Sequence, residues 1–380
     1  MPGLDARDGM NEGSGMTAPE VATQPSTEAG AEEKHGPYPA GAARTEEVLR
    51  ANPTRFVVID KGRVVADKKD PEILIEFGDT LKIPAEYVLR GQRSKDRKAK
   101  PGAAVPHEPS PLGDELIQVE NLNFEYSGGI RALRDINLTI HEGERIALLG
   151  NNGAGKSTLA LSLVGLLKPT SGRVLVTGKD TGSLTTGQIA RSVCLVFQSP
   201  FSMLFAKTVR DELSFGPKNI GVPPAEISKI VPETAKQCSV DHLLEKSPFA
   251  SSFGEKKRIS VGSVLTMQPK CIILDEPTAG QDFRSYSNFM NFICSLSEHV
   301  KSFVVITHDP DLAIEYTDRA IVLNDGRIIA DGPTRNILAD SSVLAAGAIR
   351  ETSLIDISRK MTAGRSVLTL AELTHAYRGG

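Results

Sequence analysis

Lys156, Ser157 and Thr158 close a short loop of Gly150, Asn151, Asn152, Gly153, Ala154 and Gly155, in the pattern G-x-x-x-x-G-K-S. Glycines let the backbone curl until several N–H groups face one point. The lysine and hydroxyl behind them suit the charge and metal chemistry of a nucleoside triphosphate. In this reading Lys156 reaches the β and γ phosphates and Ser157 ligates Mg²⁺. A second constellation lies downstream, where Asp275 and Glu276 stand side by side ahead of Pro277. Two adjacent acids can divide the work of hydrolysis: Asp275 holds Mg²⁺ through water, and Glu276 orients or deprotonates the attacking water.

Both constellations need strands to carry them. The apolar stretch Arg145-Ile-Ala-Leu-Leu149 predicts a strand entering the glycine loop. The run after Thr158 predicts a helix whose positive N-terminus faces the phosphates. Cys271-Ile-Ile-Leu274 predicts a buried strand ending at Asp275, whose alternation sends the two acids in different directions. Strands alternating with helical patterns, and a crossover after Lys156, predict an α/β class.

Five further segments surround these two: Asn123-Phe-Glu-Tyr126, Val196-Phe-Gln198-Ser-Pro200, Ser252-Phe-Gly254-Glu-Lys-Lys-Arg258, Ala279-Gly-Gln-Asp282 and Val305-Ile-Thr-His308. In that order they resemble the adenine-stacking aromatic, Q-loop, signature motif, D-loop and switch histidine of the ATP-binding-cassette (ABC) ATPases. The resemblance covers roughly residues 116–360. It implies a P-loop NTPase fold of the ABC nucleotide-binding-domain type, with an antiparallel β subdomain carrying Tyr126 and a helical subdomain from about Val209 to Gly262. It also implies that two cassettes sandwich ATP, Ser252 and Gly254 of one facing the γ-phosphate held by the other. Glu276 then acts on the water, His308 supports the γ-phosphate side, and Gln198 ligates Mg²⁺ and reports the nucleotide state to a partner. Asp282 belongs with the nucleotide-facing residues. One departure stands out: the family's Leu-Ser-Gly-Gly is Ser251-Ser252-Phe253-Gly254 here. Phe253 removes easy access to positive φ, and Ser251 removes an apolar anchor.

The segment from Phe197 through Phe201, Leu204, Phe205 and Phe215 to Gly221 is similar to the energy-coupling-factor (ECF) and cobalt-type importers. That likeness implies an ATP-hydrolysing subunit on the cytoplasmic face of the membrane. It would energise uptake of a vitamin or transition-metal ion. Its partners would be a second cassette, a transmembrane subunit and a substrate-binding membrane component. Residues 200–204 are then expected to line a groove for a short helix of the membrane subunit. A soluble tandem-cassette ATPase acting on ribosomes is the alternative, but such proteins carry a long charged helical linker between cassettes. A chromosome-maintenance ATPase would need an inserted coiled coil.

The chain has 380 residues, 40% hydrophobic and 24% charged, enough for one full cassette with extensions. A net charge of −3 gives no pull toward nucleic acid. Cys194, Cys238, Cys271 and Cys294 are far apart and without metal-site spacing. Residues 1–44 are rich in Gly, Pro, Ala, Ser, Thr and Glu and are expected to be disordered. Residues 91–112 form a basic, Pro/Gly linker, residues 113–345 the complete cassette, and residues 346–365 a second linker.

Two segments repeat parts of that cassette. Within residues 45–90, Arg55, Val58, Gly62, Arg63, Ala66, Asp67, Ile73 and Leu74 match Arg319, Val322, Gly326, Arg327, Ala330, Asp331, Ile337 and Leu338 at one constant offset. Within residues 366–380, Leu373, Tyr377, Gly379 and Gly380 parallel Leu122, Tyr126, Gly128 and Gly129. These read as the tail of one cassette and the head of another, in a tandem arrangement.

Overall fold

The computed structural model describes residues 56–60, 63–69, 112–279, 281, 283–352 and 355. The chain divides into two compact units, one of residues 1–94 with 280–284 and one of residues 95–279 with 285–380. The expected disordered extension, the terminal repeat and Asp282 lie outside the described residues. In the first unit β1 (Phe56–Asp60) and β2 (Arg63–Lys68) form an antiparallel hairpin with a bulge between Val58 and Ile59.

The second unit holds β3 (Glu115–Glu125), β4 (Arg131–His141), β5 (Arg145–Leu149), β6 (Ser171–Val176), β7 (Lys179–Asp180), β8 (Val193–Val196), β9 (Cys271–Asp275), β10 (Ser302–Ile306), β11 (Arg319–Asn324) and β12 (Arg327–Pro333). Among the described residues these make a sheet of order β12-β11-β5-β10-β9-β8 and an antiparallel sheet of order β4-β3-β6-β7. In the larger sheet β11, β5, β10, β9 and β8 run parallel, and β12 folds back on β11. β8 and β10 are buried at every residue, as continuous apolar strands covered on both faces must be. Alternate residues of β5 feed two cores. Ile146 and Leu148 pack with Leu133 and Ile140 of β4 and Leu159 of the helix after the glycine loop, while Ala147 and Leu149 pack with Ala313, Val322 and Leu338.

Parallel strands share one C-terminal edge, and in open α/β sheets that edge is where loops can meet a ligand. Here it gathers the glycine loop after β5, Gln198 after β8, Glu276 after β9 and His308 after β10. The helical part consists of Val209–Asn219, Pro224–Gln237 and Phe253–Leu265, running three residues past the expected end at Gly262. A Cβ at Gly262 would stand 2.9 Å from Leu213 Cδ2, so the glycine sets how closely two of these helices approach. No helix among the described residues is long and apolar enough to cross a membrane.

Candidate active site

The glycine loop is built by backbone geometry that only glycine adopts freely. Gly150, Gly153 and Gly155 have φ of 146°, 83° and 104°. A Cβ at Gly155 would also lie 2.5 Å from the Ala132 carbonyl oxygen of β4. The helix Lys156–Leu163 starts directly behind, with no side-chain cap and no acid in its first turn. Its leading N–H groups therefore have no side chain competing for them, the condition under which a helix N-terminus receives an anion. Lys156 folds over the loop, its Nζ donating to the carbonyls of Gly150 at 2.8 Å and Asn151 at 2.9 Å. Burial lowers its pKa, against the attraction of Glu276 and Asp275. A polyphosphate there would meet a pre-aimed, poorly hydrated cation.

Opposite the loop, Ser157 Oγ donates to Asp275 Oδ2 at 3.1 Å, joining two expected Mg²⁺ ligands contributed by neighbouring elements. Burial and the neighbouring Glu276 raise the Asp275 pKa, opposed by Ser157 and Lys156. A hydroxyl and a carboxylate at one point fit a hard, oxygen-seeking cation. Among the described residues no cluster of three or more His, Cys, Asp or Glu side chains could hold a metal alone. Gln198 is exposed in a bend after β8, with no side-chain hydrogen bond among the described residues.

Glu276 has φ +44°, in the left-handed region, while its N–H still donates to the Ile306 carbonyl at 2.9 Å. The two acids are therefore separated by a left-handed turn at the strand end, and not by strand alternation as the sequence pattern predicts. Such a conformation is costly for a residue with a side chain and persists where surroundings enforce it. The turn brings Glu276 Oε1 to 2.8 Å from His308 Nδ1, pairing the expected water-activating acid with the expected switch histidine. Tyr126 OH lies 3.0 Å from Thr158 Oγ1, which ties the antiparallel sheet to the helix behind the glycine loop. Its ring packs edge-on against Phe124 and remains 41% exposed, leaving a face for a base.

Ser252, Phe253 and Gly254 are exposed at the start of the helix Phe253–Leu265. Phe253 is not among the positive-φ residues: it occupies the first helical position. Loss of a glycine therefore costs no backbone freedom there, contrary to the expectation from its type. Ser251 is 8% exposed with its Oγ unpartnered among the described residues, a polar group where the family has an apolar one. Two residues of the signature segment take part without a role assigned from the motif. Glu255 closes a capping box, accepting from Ser252 N at 2.7 Å and Ser252 Oγ at 2.8 Å, a pattern the Ser-x-x-Glu spacing does announce. Lys257 lies buried between the rings of Phe253 and Phe289 and donates to the carbonyls of Pro277 and Ala279, just beyond Glu276. Nothing in its spacing distinguishes it from the lysine beside it.

Comparison with known proteins agrees with this geometry. A family model described as ABC transporter matches residues 133–279. An ABC transporter ATP-binding protein of Geobacter sulfurreducens is 41% identical over 234 residues, covering 62% of this chain and 93% of the relative. One from Bacillus cereus is 38% identical over 334 residues, covering 82% of this chain and 59% of the relative. The chain spans only 59–60% of the length of the Bacillus relatives it matches. Among solved structures, cbiO1 of Clostridium perfringens, described as part of the ABC transporter complex cbiONQ, is 38% identical with a TM-score of 0.56, covering 65% of this chain and 99% of that one. The ATP-binding cassette MJ0796, seen as a dimer bound to ADP and Pi after hydrolysis, is 27% identical with a TM-score of 0.52, covering 58% of this chain and 99% of that one.

Proposed function

The chain belongs to the ATP-binding proteins of ABC transporters, and on that premise we propose that it is the ATP-hydrolysing subunit of an ECF-type importer for a vitamin or transition-metal ion. Lys156 and the loop N–H groups grip the β and γ phosphates. Ser157, Asp275 and Gln198 hold Mg²⁺, which neutralises phosphate charge. Tyr126 stacks on adenine. Glu276, positioned by His308, orients the attacking water, and positioning with electrostatic stabilisation supplies most of the barrier lowering in phosphoryl transfer. A second cassette presents its own Ser252 and Gly254 equivalents to the γ-phosphate, and Asp282 serves the same interface.

The observation that carries the membrane-partner reading is the aromatic surface beside Gln198. Phe201, Phe205 and Phe215 are 57%, 58% and 47% exposed, with Phe205 and Phe215 edge-to-face at 4.6 Å. Of the expected groove residues, Pro200 and Leu204 are buried beneath this surface, so the exposed rings form its contact layer. Buried Glu212 accepts the N–H groups of Phe205 at 2.9 Å and Ala206 at 2.8 Å, holding the loop rigid beneath the rings. Exposed aromatics close together in the chain are the kind of apolar surface that partners cover, and the likeness to cbiO1, described as part of the ABC transporter complex cbiONQ, supports a membrane partner. Phe201→Glu with Phe205→Glu should leave ATP affinity unchanged and release the chain from its transmembrane partner on purification from membranes. Retention of that partner by the double variant would sink the reading. Co-sedimentation with ribosomes would favour the soluble alternative.

A further inference from the structure

The hairpin of residues 56–68 repeats the β11–β12 hairpin in register as well as in sequence. Val58 faces Ala66, Ile59 faces Val64 and Asp60 faces Arg63. In the cassette Val322 faces Ala330, Leu323 faces Ile328 and Asn324 faces Arg327, which are the same pairs at the same offset. Both hairpins are bulged at one equivalent point, between Val58 and Ile59 and between Val322 and Leu323. A bulge adds one residue to one strand, so its recurrence at a matched position gives both hairpins the same pairing and the same local twist.

What differs is the company each keeps. β11 pairs in parallel with β5, Arg319 opposite Ile146 through Val322 opposite Leu149. The turn glycine Gly326 donates to the Ala154 carbonyl of the glycine loop at 3.1 Å, and a Cβ there would lie 2.7 Å from the Ala132 carbonyl oxygen. β1 belongs to a two-stranded sheet, so among the described residues its outer edge has no strand partner. An isolated hairpin is marginal in water, and an open edge is a template for pairing. The contrast extends to one face. Ile328 packs on the cassette core, whereas its counterpart Val64 is 60% exposed; Ile329 and Val65, on the opposite face, are both exposed, at 39% and 47%.

We infer that the 56–68 hairpin is an interaction module that seats on the P-loop strand of a second cassette whose own hairpin leaves that edge open, taking there the place that β11–β12 takes on β5. The charges specify that strand. Arg319 bridges Asp331 at 2.6 Å and Glu144, the residue before β5, at 2.8 Å. The sequence keeps Arg55 and Asp67 at the matching positions, so the occupant needs an acid ahead of its P-loop strand. Coverage points the same way: Bacillus and Caldanaerobacter relatives match 82% and 87% of this chain, against 62% for the relative spanned almost whole. The inference rests on the family assignment and is independent of what is transported.

The test uses the full-length chain. Residues 321–331 are replaced by the sequence of residues 57–67, which keeps the buried Ala320 where the hairpin carries the bulkier Phe56, and a control receives residues 56–66, shifted by one position. A one-residue slip turns every side chain to the wrong face. The in-register chimera should bind a fluorescent ATP analogue within about tenfold of the parent, since its apolar changes, Ile321→Val, Leu323→Ile, Ile328→Val and Ile329→Val, remove or move no more than one methyl group each. The shifted control should lose binding or fail to fold. An in-register chimera no better than the shifted one overturns the inference, whether both bind poorly or both unfold. Sedimentation of the unmodified chain provides a second readout. Self-association abolished by Val64→Asp would assign the edge to a second copy of this chain, whose β5 is already paired, and would overturn the assignment.

Discussion

Two helix N-termini face the chemistry of this family, and they are prepared in opposite ways. The helix Lys156–Leu163 begins with a left-handed glycine, has no side-chain cap and has no acid in its first turn, so its positive end is kept for a ligand. The helix Phe253–Leu265 begins with a closed capping box, and Glu255 occupies both the backbone N–H and the hydroxyl of Ser252. Those hydrogen bonds hold the Glu255 carboxyl below its ordinary pKa, so an anion already sits where a γ-phosphate of another cassette would arrive. The first end therefore binds as it stands, while the second must surrender or share a hydrogen bond.

The largest way to break the comparison is at the open end. Lys156→Ala should weaken ATP binding by about 2–5 kcal/mol, the scale for removing a buried charge partner, measured by nucleotide titration on folded protein. Glu276→Gln should retain ATP binding and slow turnover by about 10²–10⁴-fold; hydrolysis at the parent rate would remove Glu276 from its role. At the capped end, Glu255→Gln keeps the box but removes the anion. ATP-dependent cassette association, followed by sedimentation in the Glu276→Gln background, should tighten by about 0.3–1 kcal/mol, the worth of one charge at a helix terminus. Weaker association would mean that Glu255 aids closure. Phe253→Gly restores the family's residue but relieves no strain. It should lower stability by about 0.5–2 kcal/mol through lost contact with Lys257 and glycine's helix penalty, read by thermal melting.

A further test concerns pH. Burial lowers Lys257 from 10.5 to about 8. Between those values the unfolded chain binds a proton that the folded chain does not, so stability rises with pH across that window. Lys257→Met should flatten the rise. An unchanged slope in chemical denaturation between pH 8 and 10 would show that Lys257 is not its source.

Much of the site was legible because its motifs are local. The spacing from Gly150 to Ser157 encodes a loop whose φ values demand glycine, and an apolar run ending in Asp275 encodes a buried strand delivering an acid to its end. Even the capping box at Ser252 is written in four consecutive residues. The repeat of Arg55, Gly62 and Asp67 was also visible, because identity at a constant offset needs no coordinates. Tertiary structure alone decided how these pieces meet. Parallel pairing of β5, β10 and β9 brings Ser157 to Asp275 and Glu276 to His308. The left-handed turn at Glu276 could not be foreseen, since its cost is met by packing around the strand end and not by its own residue type. Lys257 acquires its depressed pKa only from the burial that folding imposes on it. The matched bulges in the two hairpins are likewise a property of pairing: they depend on which residue faces which across two strands, and that relation exists only once the chain has folded.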